Sequence, residues 1–306
     1  MTMNPPLFFP AFVSLVLMAS FSTANAKLPP LLEVPSYLKD SQKKDLTSQR
    51  DNLEKRLTAL RKWADDYNAK YANRDLPEDD PLAKEGLAEK ARLDKYGQEY
   101  ARDALAFDDL VLSLTRVGAG AALRGEVTFI TPDGRKVAGQ AGAPVSVGTR
   151  IVTGADGRIQ LLLLDETVFT IGPNSDMVID EFVYDPDSSV NKVSTRVTKG
   201  VFRWVTGKVV RKDPANMKVT LPVGTIGIRG TDFEAMVAPD DSGSVKLYSG
   251  QLDITEKKTQ RTFLLNAGQM VTFSAEGIFG PPAPLDPAIA GLKDPGQWQS
   301  RKGTCL

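Results

Sequence analysis

A chain of 306 residues with 42% hydrophobic and 25% charged residues has material for two units with buried cores, and its composition excludes a fibrous or largely disordered chain. Its 38 Lys and Arg balance 38 Asp and Glu, so there is no cationic excess to neutralise phosphates, and nucleic acid is not an expected partner. Histidine is absent and the one cysteine is Cys305, which removes Ser-His-Asp, Cys-His and His-zinc chemistry, an intramolecular disulfide and a thiolate zinc site.

The first element is an address. Pro5 to Phe21 is an uncharged apolar run, and Ala24-Asn25-Ala26 after it has the small-x-small form of a signal-peptidase site. Residues 1–26 are read as a cleavable signal peptide, with Ala24 and Ala26 specifying the cut and Lys27 as the new N-terminus. The run is shorter than the roughly 20 residues that span a bilayer, and no later stretch is long and apolar enough. The expectation is a periplasmic or secreted product with no stable membrane insertion after cleavage.

A linker over 27–37 leads to charge-rich sequence in which Leu46, Leu53, Leu57, Leu60, Ala64, Tyr67 and Tyr71 form one helical seam. Asp75 to Pro81 breaks it with two prolines, and Leu93, Tyr96, Tyr100 and Phe107 mark a second helix weakened by Gly86 and Gly97. Residues 38–108 are therefore read as an α-helical, coiled-coil-like hairpin, either a spacer or an arm for self-association.

Over 109–276 the period falls to two, with strand-like runs at Val111–Val117, Glu126–Thr131 and Arg158–Leu164. Turn signals such as Pro132-Asp133-Gly134 and Ala155-Asp156-Gly157 stand between them, which predicts a mainly β domain, a sandwich, a barrel or a solenoid. The leucine run Leu161 to Leu164 predicts a strand covered on both faces, whereas Lys199 to Val205 alternates and predicts one wet face. Residues 277–306, rich in proline and including Trp298, read as a flexible tail.

The glycines of Val223–Phe233 fit neither a phosphate loop nor a dinucleotide loop. Gly224, Gly227 and Gly230 instead suggest sharp bends or close strand approach, with a local pair between Arg229 and Asp232. On this reading a side chain at Gly227 damages folding. Asp180, Glu181, Asp185 and Asp187 lie close in sequence but fit no calcium-loop spacing and read as solvated turn acids.

Five ordered stretches carry a resemblance: Gly148-Thr-Arg-Ile-Val-Thr-Gly154, Asp165 to Ser175, Asp180 to Pro186, Lys199 to Lys208 and Thr220 to Phe233, followed by Val245 to Ile254 and Asn266-Ala-Gly-Gln269. Together they closely resemble the FecR domain family over roughly residues 110–275. The resemblance implies a periplasmic, β-solenoid-like module in which Gly224, Gly227, Arg229, Gly230, Thr231, Asp232 and Phe233 are a structural signature, with no catalytic position and no cofactor or metal. The name-giving members relay a signal from an outer-membrane transporter through a transmembrane helix to a cytoplasmic sigma factor. A leader peptide in place of the cytoplasmic part departs from that design. The expected function is a non-enzymatic envelope-signalling module working by contact with an envelope protein. The alternative is a structural envelope protein or one that binds polysaccharide or peptidoglycan through Trp204, Tyr184 and Tyr248, and a carboxylate-based hydrolase is a third class.

Overall fold

Two seven-residue spacings build the first unit, Met1–Leu114. A computed structural model describes residues 31–36, 38–71, 74, 77, 79–184, 191–208 and 216–285, so Ala24, Ala26, Lys27, Asp185, Asp187, Trp298 and Cys305 lie outside the described residues. Helices α1 (Asp40–Tyr71) and α2 (Pro81–Leu114) run antiparallel, and the buried Leu46, Leu53, Leu60 and Tyr67 of α1 face Gly86, Leu93, Tyr100 and Phe107 of α2. Asp80 starts α2 as an N-cap, its Oδ1 accepting from Leu82 N at 2.7 Å, with Pro81 in the first helical position where a missing N–H costs nothing. Cross-helix polar pairs flank the seam: Trp63 Nε1 donates to Glu89 at 2.7 Å, and Lys70, its pKa pushed up to about 12 by Glu85, lies 2.9 Å from that carboxylate. Gly86 lies beneath the Tyr71 ring, where a Cβ would come within 3.0 Å of the ring edge.

The hairpin extends past the boundary expected at 108. Val111–Leu114, read from sequence as the start of a strand, is the last turn of α2, and β1 (Arg116–Arg124) begins only after it. Phe107, Val111 and Leu114 continue the alternating four-three spacing of the seam, and an established helical frame outweighs a short run whose alternation fits either element.

The second unit, Thr115–Leu306, is mainly β, as expected, and its strands form one hydrogen-bonded sheet that is folded over rather than closed into a barrel. Three long strands, β9 (Lys192–Val205), β11 (Gly224–Val237) and β12 (Gly243–Glu256), each belong to two layers. In the first layer the end of β9 pairs with β7 (Val168–Ile171) and the end of β11, and this layer continues through β6 (Arg158–Leu163) and β1 to β4 (Pro144–Ser146). On its other side lie the start of β12, β14 (Gln269–Phe273) and β15 (Ala283–Pro284). The second layer runs from β3 (Lys136–Ala138) through β2 (Val127–Ile130), β5 (Arg150–Thr153), β8 (Asp176–Val183) and the start of β9 to β10 (Met217–Leu221). It ends with the start of β11, the end of β12 and β13 (Thr262–Asn266). Of the three forms expected, these pairings describe a sandwich whose layers share one core.

The crossing points are visible in the burial parity. Along β9 the buried residues are Val193, Thr195 and Val197, then Phe202 and Trp204. Along β11 they are Ile226 and Ile228, then Phe233, Ala235 and Val237, and along β12 Val245 and Leu247, then Leu252 and Ile254. One extra residue at each switch keeps both halves of a strand facing the same core, which is the geometry of a β-bulge. A positive-φ glycine stands at each: Gly200 (114°), Gly230 (64°) and Gly250 (82°).

The sheet also reaches beyond residue 276. Phe279 is buried against Phe273 and Phe263, and Leu285 N donates to Gly268 O at 2.7 Å, so 277–285 are the last turn of the β unit and not free tail. The prolines that suggested an extended chain occupy an edge, where a missing N–H removes no ladder bond.

Candidate functional site

The Val223–Phe233 signature begins as a hairpin and ends as a corner. Leu221 pairs with Gly224 across the turn residues Pro222 and Val223, so β11 returns directly along β10. At Gly224 a Cβ would meet the Thr255 carbonyl at 2.6 Å, a close approach of the expected kind. At Gly230 the space is open, and it is the left-handed backbone of the bulge that calls for glycine.

Gly227 satisfies neither condition. Its φ is negative, and a Cβ there would sit 3.5 Å from Asp253 Cβ, an ordinary contact. Neither the backbone conformation nor the room for a Cβ requires glycine here, so the structure lends no support to the expectation that a side chain at Gly227 damages folding.

The expected Arg229–Asp232 pair is not formed. The bulge at Gly230 places the two residues on the outer faces of different layers, and each reaches a neighbouring strand instead. Arg229 Nε donates to Asp253 Oδ2 at 2.7 Å. Asp232 accepts a two-bond fork from Arg203, at 2.9 and 2.8 Å, and Arg203 lies over the Tyr248 ring at 5.3 Å. Burial, more than the nearby Glu234, pushes the Tyr248 phenol up. Thr231 is buried and locks the corner to the end of β9, its N–H donating to Thr206 Oγ1 at 2.8 Å while its carbonyl accepts from Thr206 N at 3.0 Å. Phe233 stacks on Trp204 at 4.7 Å between ring centroids and 8° between planes.

The aromatic trio suggested for polysaccharide contact is dispersed. Trp204 is fully buried in the core, a correction that follows from the parity of β9, while Tyr184 and Tyr248 are half-buried. Asp180 pairs with Arg196, and Glu181 pairs with Lys192 at 2.8 Å.

Two outer surfaces stand out. On the first layer Ala119, Leu162, Val168 and Val205 lie in one cross-strand row, with Pro144 beyond Ala119. Leu162 is 48%, Leu164 55% and Val205 41% exposed, so the leucine run has one open face where the sequence suggests two covered ones. On the second layer Lys218, Gly227 and Asp253 form a row within a concavity of about 450 Å³, walled on one side by the turn carrying Lys257 and Gln260. Sequence reasoning missed both surfaces, although the unbroken leucines were a legible sign of the first.

In the lining of the concavity, Glu256 accepts from the Thr259 hydroxyl and from Arg261 at 2.5 Å, and these bonds, the Thr259 one foremost, hold its carboxyl below the usual range. A lowered folded-state value means that this group stabilises the fold above the unfolded carboxylate range near pH 4.5. That contribution is lost as pH falls through the lowered value. Glu256→Gln is expected to flatten the fall in melting temperature between about pH 5 and pH 3, where carboxylates titrate, measured against the parent in thermal scans.

No curated protein matches the chain. Among solved structures it is similar to a candidate anti-sigma factor from Parabacteroides distasonis, in crystals at 1.65 Å and 2.50 Å resolution, with 13% and 15% identity and a TM-score of 0.35 for each. Both alignments cover 45% of this chain and 60% of the other, so the chain spans about three-fifths of the structures it matches. A cell surface anchoring domain is 28% identical over 20% of this chain and 80% of its own length, with a TM-score of 0.20. The family described as FecR protein matches residues 149–253, which run from just before β5 through the bulged corner to the end half of β12. Over those residues the chain is similar to the FecR domain.

Proposed function

We propose that this chain is an exported envelope-signalling protein whose FecR domain works by protein contact, without catalysis, and that the contact surface is the open face of the first layer. The observation that carries this reading is the exposed Leu162, Leu164 and Val205, with the half-buried Val168 between Leu162 and Val205 in one cross-strand row. Sheet faces of this composition are ordinarily covered, and contiguous exposed apolar side chains mark protein contact sites. The leader-like sequence ending Ala24-Asn25-Ala26 supports export, and among the described residues no helix is long and apolar enough to cross a membrane. The FecR domain supports a place in envelope signalling.

The helical seam is a weaker candidate for self-association than the sequence suggests, because Leu53, Leu60 and Ala64 are buried within the hairpin itself. In-cell crosslinking followed by mass spectrometry tests the proposal on the parent and on a Leu162→Glu, Leu164→Glu double variant. The parent is expected to yield an adduct with another envelope protein. The variant, melting like the parent, is expected to lose about nine-tenths of that adduct, since a charge in a buried contact costs more than the factor-of-ten threshold. An undiminished adduct from a folded double variant would overturn the assignment of this face.

A further inference from the structure

Glycine in the middle of a central strand forfeits a packed side chain and adds chain entropy to be lost on folding, so its presence calls for a reason. At Gly224 the reason is a carbonyl 2.6 Å from the Cβ position, and at Gly230 it is a φ of 64°. Gly227 has neither, yet it lies in the lining of a concavity of about 450 Å³ on the second layer. That volume falls within the usual range of small-ligand sites. The remaining explanation is that something from outside approaches the β11 backbone here.

The surrounding groups state the chemistry. In register, Lys218 stands on one side of Gly227 and Asp253 on the other. With strands about 4.8 Å apart, they flank a gap about 10 Å wide, the room of a single sugar ring. Both Nε and Nη2 of Arg229 engage Asp253 Oδ2, so that carboxylate is neutralised while Oδ1 keeps acceptor capacity for a ligand hydroxyl. Of the lining carboxylates, Asp253 pairs with Arg229 and Glu256 with Arg261, whereas among the described residues Lys218 and Lys257 have no ion pair and remain to meet a ligand's charge. Thr225 and Thr255 line the next row with hydroxyls, the latter within 2.9 Å of Thr262 Oγ1.

The geometry points to a binding site for an acidic sugar residue, a hexuronate whose ring lies over Gly227 with its carboxylate toward Lys218 and its hydroxyls toward Asp253 and Thr225. A neutral sugar leaves both lysines without a counter-charge. A bare phosphate uses neither the acceptor at Asp253 nor the width of the floor. This site lies on the opposite layer from the proposed protein contact face and stands independently of it.

Titration of the full chain with tetragalacturonate, followed by calorimetry and by amide shifts, tests the assignment. Saturable binding is expected, with the largest shifts at Gly227 and its neighbours. The fully methyl-esterified oligomer and inorganic phosphate serve as controls and are expected not to bind. Lys218→Gln should weaken binding about tenfold, the worth of one charge-assisted contact. Gly227→Leu, which fills the floor, should abolish binding while melting no lower than the parent. Absence of saturation at millimolar tetragalacturonate, equal binding of the esterified oligomer or of phosphate, or unchanged affinity in Gly227→Leu would each overturn the proposal.

Discussion

Trp204→Ala is expected to lower the stability of the β unit by about 3–5 kcal/mol, a fall of roughly 6–20 °C in melting temperature, while Trp204→Phe loses only about 1 kcal/mol. Trp204 lies at the junction of three strands in the first layer, directly opposite Phe169 on β7 and Phe233 on β11. Its ring stacks on Phe233 at 4.7 Å, on Phe202 at 5.6 Å, and meets Phe169 edge-on at 5.9 Å. Truncation to Ala removes the central member of this group and leaves a cavity among rings too constrained to collapse into it. The phenylalanine variant behaves differently because Trp204 Nε1 is buried with no hydrogen-bond partner among the described residues, and an unsatisfied buried donor costs about 1–3 kcal/mol. Removing that donor offsets most of the lost ring area. Urea unfolding of the two variants separates the terms. Equal losses would mean that Nε1 has an acceptor and that the ring stack contributes less than its geometry implies.

Trp204 also shows where sequence reasoning succeeds and where it stops. The alternation in Lys199–Val205 correctly indicated one wet face, but alternation alone does not say which parity points inward. That is settled by the bulge near Gly200, which shifts β9 from odd to even buried positions, so the tryptophan offered as a surface aromatic is a core residue. The same limit explains the pairing error at Arg229 and Asp232. Three residues apart in a straight strand, they would lie on opposite faces, and the tight bend expected to unite them is a corner that sends each to a different layer. Elements with long, regular periods were read well. The seven-residue spacing of α1 survives intact in the buried set, and the FecR-like stretches overlap each of the three strands that cross between layers without marking their ends. The two outer surfaces were missed because each depends on which strand lies beside which, and pairings such as Leu162 with Val168 or Lys218 with Gly227 join residues whose adjacency no local pattern records.

The glycines of the corner provide the sharpest contrast, because three of them lie close together and differ in the reason for being glycine. Gly250 has both constraints: its φ is 82°, and a Cβ would stand 2.1 Å from the Gly230 carbonyl oxygen, at the point where the bulges of β11 and β12 touch. Left-handed backbone costs a non-glycine residue about 1–2 kcal/mol, and displacing packed backbone costs about 1–3 kcal/mol more, so Gly250→Ala is expected to lose about 2–5 kcal/mol. Gly230, with a φ of 64° and open space around its Cβ position, has only the first constraint, and Gly230→Ala should lose about 1–2 kcal/mol, with Asn better tolerated than Ala. Gly227 has neither, and Gly227→Ala should be neutral or gain up to about 1 kcal/mol through the stiffer unfolded chain. Denaturant midpoints of the three alanine variants place them in the order Gly250, Gly230, Gly227 from greatest loss to least. If Gly227→Ala lost as much as Gly250→Ala, glycine there would serve the packing of β11 against β12, and the open floor over residue 227 would need no ligand to explain it.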